Sequence, residues 1–292
     1  MSLKVMTTVA EVQAYSKEMK AAGKCIGLCP TMGALHEGHM TLCRAARASC
    51  DVVIASVFVN PVQFGPNEDY EKYPRQFAAD CEKLEAEGVD AVFRPAPEEM
   101  YPEGYGTYVN VESDITKVLC GARRPGHFRG VATVVTKLMN LTRADRAFFG
   151  QKDAQQVAVV RRLVADLNLP VEVVMVPICR EESGLARSSR NVYLSPAERE
   201  AALVLSRSLR KAKAAFDGGE RSAEQLKEIT RAELATEPLA RVDYVDLYTF
   251  PALQPVAEVT ETSLLAIAVY IGKTRLIDNV IFTSSAEKGA AK

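Results

Sequence analysis

From the amino terminus to Arg180, short apolar runs rich in β-branched residues alternate with stretches of helical spacing. Strands joined through helices cannot pair by tight turns. They come to lie parallel, linked by crossovers that carry helices onto both faces of one sheet. The alternation therefore predicts an α/β chain with a Rossmann-like, doubly wound parallel sheet. Thr8-Val9-Ala10-Glu11 has capping-box spacing, so a helix is expected from there to the stop at Gly23. Strands follow at Cys25–Cys29, Asp51–Val59, Ala91–Phe93, Arg146–Phe149 and Val171–Ile178. Helices are expected over Phe77–Glu87 before Gly88, up to Leu141, and over Asp153–Leu167.

Beyond Arg180 the pattern changes. Ser195-Pro196-Ala197-Glu198 again has capping-box spacing, with proline at the first helical position. A second helix near Ser222–Ala235 precedes three strand-like runs, Arg241–Tyr248, Leu264–Ile271 and Arg275–Phe282. Gly272-Lys273-Thr274 suits a hairpin between the last two. Helices followed by antiparallel strands suggest a smaller α+β domain, and 292 residues leave room for two domains. The expected division is 1–184 for the Rossmann-like domain and 185–292 for a carboxyl-terminal lid domain. Glu287–Lys292 is expected to fray.

With 36 basic against 37 acidic residues, no global field draws in nucleic acid or an anionic membrane. Any anion must be held locally. The longest apolar runs, such as Leu264–Ile271, fall far short of the roughly 20 residues a membrane-spanning helix needs. Met1-Ser2-Leu3-Lys4 leads into mixed polar sequence without the pattern of a secretory leader, so a cytoplasmic protein is expected. Seven scattered cysteines without a C-x-x-C pair argue against disulfides and structural zinc. Cys25, Cys29 and Cys179 read as small core residues.

The most informative stretch follows Cys29: Pro30-Thr31-Met32-Gly33-Ala34-Leu35-His36-Glu37-Gly38-His39. Two of the three histidines stand here, and a helix starting near Gly38 would favour an anion at that end. Imidazoles placed there can donate to phosphate oxygens, where negative charge grows as pyrophosphate departs. Two solvated histidines in a turn would read the same way. Zinc fits less well, because the third histidine, His127, is remote in sequence. A second cluster, Phe148-Phe149-Gly150-Gln151-Lys152-Asp153-Ala154-Gln155-Gln156, again leads from a strand end into a helix. Ligands of doubly wound sheets collect at such ends, which would aim Lys152 at the same crevice as His36 and His39. Arg187-Ser188-Ser189-Arg190-Asn191 offers hydroxyls and guanidiniums suited to a polyphosphate clamp. Phe58-Val59-Asn60-Pro61-Val62-Gln63-Phe64-Gly65 ends a strand with amides that could grip a small polar substrate. Taken singly, each of the last three also reads as an ordinary turn, cap or linker.

Together, and in order along the chain, these segments closely resemble the pantoate–β-alanine ligase family. The matching stretches are PTMGALHEGH at 30–39, FVNPVQFG at 58–65, YPR at 73–75, RPGHFRGVATVV at 124–135, FFGQKDAQQ at 148–156 and GLARSSRNVYLS at 184–195. The resemblance implies an ATP-dependent, AMP-forming ligase. Pantoate's carboxylate attacks the α-phosphate of Mg-ATP, and β-alanine's amine then attacks the pantoyl adenylate to give pantothenate. It also implies a homodimer. Carried over by position, Met32, Gly33, His36, Gly38 and His39 hold ATP, with His39 the proton donor to the leaving group and His36 beside it. Gly150, Gln151, Lys152, Asp153, Cys179, Arg187, Ser188, Ser189 and Arg190 complete the ATP site, with Lys152 on the phosphates and the Cys179 backbone near adenine. Gln63 and Gln156 grip pantoate, Gln63 also meets β-alanine, and Asn60 supports the pantoate pocket. Asp80 is the magnesium candidate, and His127 is structural or peripheral.

Three positions depart from the family pattern: Gln151 stands where glutamate is common, Ala154 where an aromatic is, and Arg187 where methionine is. Arg187 is expected to contact phosphate or an acidic neighbour. The alternative activity is a related H-x-G-H adenylyltransferase acting on another small acid or a phosphorylated alcohol. Charge balance disfavours a nucleic-acid-binding module.

Overall fold

The computed structural model describes residues 2–66 and 68–283, so the stretch expected to fray lies outside the described residues. The chain forms two compact units. The first comprises residues through Glu112 with Gly121–Gln151 and Val159–Pro177, and the second comprises Ser113–Cys120, Lys152–Ala158 and the chain from Ile178 onward. A single cut after residue 184 cannot express this, because two short segments of the earlier sequence pack with the later one.

The first unit is built on β1 (Lys4–Met6), α1 (Val9–Ala21), β2 (Ile26–Thr31), α2 (Glu37–Arg47), β3 (Val52–Val57), α3 (Phe77–Ala86) and β4 (Ala91–Phe93). The chain goes on through the short helices α4 (Pro97–Met100) and α5 (Leu119–Arg123), then α6 (His127–Thr142), β5 (Arg146–Gly150), α7 (Ala154–Asp166) and β6 (Glu172–Val176). All six strands are parallel and lie in the order β1-β4-β3-β2-β5-β6. β2 and β3 are buried along almost their whole lengths, as parallel strands covered on both faces must be. Cys29 of β2, Val53 and Ala55 of β3, and Phe148 of β5 share one core cluster with Met40, Cys43 and Ala46 of α2 and Leu84 of α3. The expected capping box at Thr8 and Glu11 is formed, and it starts α1. The three-residue β1 is an element that the spacing of apolar residues does not announce.

This strand order has a direct consequence for binding. From β2 the chain moves to β3 on one side, and from β5 it moves to β6 on the other. The gap between the carboxyl ends of β2 and β5 is therefore the topological switch point, where open α/β sheets bind ligands. Gly27 pairs with Arg146; extending that register sets Gly150 level with Thr31, so the loops after both strands leave from the same edge.

The second unit holds α8 (Pro196–Ala201), α9 (Leu203–Asp217), α10 (Ala223–Leu234) and an antiparallel sheet β7 (Ala240–Thr249), β8 (Ser263–Ile271) and β9 (Thr274–Phe282). The capping box at Ser195 and Glu198 starts α8 with Pro196 in its first turn. A two-residue turn at Gly272-Lys273 joins β8 to β9, with Gly272 at φ +57°. Leu205, Leu209 and Phe216 of α9 pack with Ile267, Val269 and Phe282 of the sheet in one core, where Phe216 stacks on Phe282 at 4.7 Å. No helix among the described residues is long and apolar enough to cross a membrane.

At the amino-terminal edge of the parallel sheet, Asp145 ties three elements. Its carboxylate accepts from Lys20 Nζ of α1 at 2.6 Å and from the Ile26 N–H of β2 at 2.7 Å, while its carbonyl accepts from the Glu172 N–H of β6 at 2.8 Å. Burial opposes its charge, but the Lys20 and Ile26 bonds prevail and hold the Asp145 carboxyl below its ordinary range. A depressed folded-state value means stability that is present above the unfolded pKa of about 4 and lost as pH falls through the folded one. Asp145→Asn should cost about 1 kcal/mol near pH 7, a modest figure because the pair is partly exposed. Denaturant titrations of both proteins should show that difference shrinking as pH drops below about 4; a pH-independent difference would contradict the assignment.

Candidate active site

The loop leaving β2 is held by buried polar contacts. Thr31 Oγ1 donates to the Ser56 carbonyl at 2.6 Å and accepts from the Gly33 N–H at 3.1 Å. Gly33 lies at φ +81°, and a Cβ there would sit 3.0 Å from Val57 Cγ1 and 3.1 Å from Asp80 Oδ2. Glycine meets both demands of the turn. Asp80, 1% exposed on α3, accepts from the Ala34 N–H at 3.0 Å on one carboxylate oxygen and from the Leu35 N–H at 2.8 Å on the other. Lys83, one turn along, donates to the Leu35 carbonyl at 2.6 Å.

These bonds revise the reading of Asp80. A magnesium ligand needs an oxygen open to the ion, whereas both Asp80 oxygens are buried and taken by backbone amides. The carboxylate is a brace for the Met32–Leu35 loop and does not fit a metal-binding role. Among the described residues no group of three His, Cys, Asp or Glu side chains could hold a metal ion.

The brace delivers the chain to the start of α2, where His36 is the N-cap. The Gly38 N–H donates to His36 Nδ1 at 3.1 Å and the His36 N–H donates to His39 Nδ1 at 3.3 Å, a capping box made by two imidazoles. Their ring centroids are 4.0 Å apart. A ring nitrogen that accepts carries no proton, so each neutral ring holds its proton on Nε2. Both histidines thereby present N–H donors at a helix start whose dipole favours an anion.

Next to this loop, Gln63 ends a 3-10 turn (Pro61–Gln63) and is 9% exposed. Its Oε1 accepts from Asn60 Nδ2 at 3.0 Å, which turns its Nε2 toward Met32 Sδ at 3.1 Å, a weak acceptor. Asn60 is spoken for at both ends: Nδ2 also donates to the Gly130 carbonyl at 3.2 Å, and Oδ1 accepts from Tyr101 at 2.7 Å. Burial pushes the Tyr101 phenol well above its usual range and keeps it a donor. Met32, Asn60 and Gln63 are thus brought together, with Asn60 setting which end of the Gln63 amide faces Met32.

Lys152, Asp153, Gln156, Cys179 and Arg187–Arg190 belong to the second unit. Lys152 Nζ lies 3.2 Å from Asp153 Oδ2, and the Lys152 carbonyl accepts from Asn279 Nδ2 at 3.0 Å. Gln155, beside the predicted Gln156, is a fastener: its amide bonds to the backbone of Ile115, Val118 and Cys120. The Cys179 carbonyl accepts from the Arg187 N–H at 3.0 Å, and Arg180 makes a two-pronged ion pair with buried Asp278. Ser188 caps the 3-10 turn over Ser189–Tyr193. Arg187 Nε is buried and has no hydrogen-bond partner among the described residues.

A doubly wound sheet with a braced loop and a histidine-capped helix at its switch point defines an α/β protein with an anion-binding site at the carboxyl ends of its strands. The family model described as pantoate-beta-alanine ligase matches residues 4–281. Pantothenate synthetase from Pelotomaculum thermopropionicum is 56% identical over 277 residues, 95% of this chain and 98% of that one. The crystal structure of pantothenate synthetase from Thermus thermophilus superposes with a TM-score of 0.89 at 46% identity, covering 95% of this chain and 99% of that one. A pantoate-beta-alanine ligase from Francisella tularensis, complexed with beta-gamma ATP and beta-alanine, gives a TM-score of 0.79 at 33% identity, covering 96% and 98%. The chain belongs to the pantoate–beta-alanine ligase family.

The brace makes a prediction that a metal ligand would not. In Asp80→Asn one of the two loop amides would face an NH2 group instead of an acceptor. Stability should fall by about 2–4 kcal/mol, the range for a buried charged hydrogen-bond network losing a partner. KM for ATP should rise while the magnesium dependence of turnover stays as in the wild type. A raised magnesium requirement with unchanged melting would restore the metal reading.

Proposed function

We propose that the chain condenses pantoate with β-alanine through a pantoyl adenylate, using ATP that enters as its magnesium complex. A carboxylate oxygen of pantoate bonds to the α-phosphorus, the bond from that phosphorus to the bridging oxygen breaks, and pyrophosphate leaves. The β-alanine amine then bonds to the acyl carbon, AMP departs with the former carboxylate oxygen, and the amine gives up a proton. The carboxylate needs no base. What the first step needs is positioning and neutralised phosphate charge, and magnesium bound to the phosphates supplies part of the latter as a component of the substrate.

The observation that carries this reading is the histidine capping box. With both Nδ1 atoms accepting backbone N–H bonds, His36 and His39 offer Nε2–H to an anion beside the Met32–Leu35 loop. His39 donates toward the departing pyrophosphate oxygen and His36 steadies the phosphates. Gly33, Gly38, Gly150, Gln151 and Asp153 line the nucleotide with backbone or polar groups, the Cys179 backbone lies by adenine, and Lys152, Arg187, Ser188, Ser189 and Arg190 engage the phosphates. Gln63 and Gln156 hold pantoate, with the Gln63 Nε2 end turned toward Met32 by Asn60. The family resemblance supports a homodimer.

Mixing the protein with Mg-ATP and pantoate should release pyrophosphate, and adding β-alanine should then release AMP. Pyrophosphate release indifferent to pantoate would reject the reading. His39→Ala and Lys152→Ala should each slow adenylation by about 10²–10³-fold, the usual loss for a donor at a developing charge, with melting temperatures close to wild type. A normal adenylation rate in either variant would remove that residue from the catalytic group.

A further inference from the structure

His127 opens α6, 64 residues from Gln63 in sequence, and its imidazole Nδ1 lies 2.9 Å from the Gln63 carbonyl. Its Nε2 lies 2.9 Å from Arg124 Nη1. A guanidinium only donates, so Nε2 is an acceptor, the proton is on Nδ1, and Nδ1–H donates to the Gln63 carbonyl. Arg124 is fixed in turn by Glu68, whose two oxygens accept from Arg124 Nε at 2.7 Å and Nη2 at 2.6 Å. Burial opposes the Glu68 charge, but Arg124 overcomes it and holds the carboxyl below its ordinary range. The backbone of α6 reaches the same turn: a Cβ on Gly130 would fall 2.5 Å from the Val62 carbonyl and 2.6 Å from Gln63 Cα. Gln63 is therefore held at two levels, its carboxamide by Asn60 and its backbone by His127 and Gly130.

We propose that Glu68, Arg124 and His127 form a positioning relay in which a neutral, Nδ1-protonated imidazole sets the Gln63 backbone and so aims its carboxamide at pantoate. The proposal rests on the reading that Gln63 grips pantoate. None of the three residues need touch substrate. The guanidinium fixes the tautomer, the tautomer fixes the donor, and the donor fixes the turn. An imidazolium would lose the acceptor that Arg124 requires and set two cations side by side.

Two measurements test this. In ¹⁵N-histidine-labelled wild type near pH 7.5, where an unperturbed imidazole of pKa about 6.5 is mostly neutral, long-range ¹H–¹⁵N spectra should assign His127 as the neutral Nδ1–H tautomer; an Nε2–H tautomer would overturn the relay. In steady-state kinetics, His127→Phe should raise KM for pantoate about tenfold, the effect of one lost hydrogen bond, with KM for ATP nearly unchanged. His127→Asn, which keeps an N–H near the Nδ1 position, should recover most of that loss, and Glu68→Gln should fall between. A His127→Phe enzyme with wild-type KM for pantoate, or with both KM values raised alike, would also overturn it. Gln63→Ala separates the relay from the pantoate reading beneath it. If it leaves KM for pantoate unchanged, the pantoate reading fails and the relay fails with it; if it raises KM while His127→Phe does not, only the relay fails.

Discussion

A carboxylate buried at 1% exposure gives two backbone amides the acceptors that a turn cannot give itself. Asp80 sits on α3, yet its bonds to the Ala34 and Leu35 amides decide the course of the chain between β2 and α2. Buried backbone N–H groups left unpaired are costly, so the loop keeps the one path in which Asp80 meets both. Gly33 makes that path sterically open, and His36 arrives at the N-cap position because the path ends there. The orientation of both imidazoles, and so the donors they offer, follows from this chain of contacts.

Much of this organisation was legible in the residues. Strands β2 to β5 are largely buried, so they read as continuous apolar runs, and the capping boxes at Thr8 and Ser195 mark helix starts through local bonding alone. Three of the motifs that carry the family resemblance, at 30–39, 58–65 and 148–156, stand at the ends of β2, β3 and β5, where a doubly wound sheet gathers its ligands. β1 escaped notice because three residues with only Met6 buried show no periodicity. The affiliation of Ser113–Cys120 and Lys152–Ala158 with the second unit escaped too, since it rests on contacts such as Cys120 Sγ with the Tyr244 hydroxyl and Asn279 Nδ2 with the Lys152 carbonyl, which leave no trace in linear spacing.

Asp80 and His127 show where sequence reasoning meets its limit. An aspartate in the first turn of a helix resembles a solvated or metal-binding carboxylate until the neighbouring loop is in place; its partners are 45 and 46 residues away. His127 resembled a peripheral histidine among arginines. Its orientation depends on Arg124 and Glu68 acting as one unit, and its contact with the Gln63 carbonyl spans 64 residues. In both cases the residue type was visible and the hydrogen-bond partner was not. A family resemblance carries residue roles forward by position, but the bond that fixes a tautomer or satisfies an amide is read only in three dimensions.

The proposed chemistry requires that the bond made first joins pantoate's carboxylate oxygen to the α-phosphorus. Supplying pantoate labelled with ¹⁸O in its carboxylate, together with ATP and β-alanine, follows that oxygen by mass spectrometry. Adenylation delivers one labelled oxygen to the phosphate of AMP and leaves the other in the amide carbonyl of the product. Unlabelled AMP, or label in inorganic phosphate released from an acyl phosphate, would contradict it.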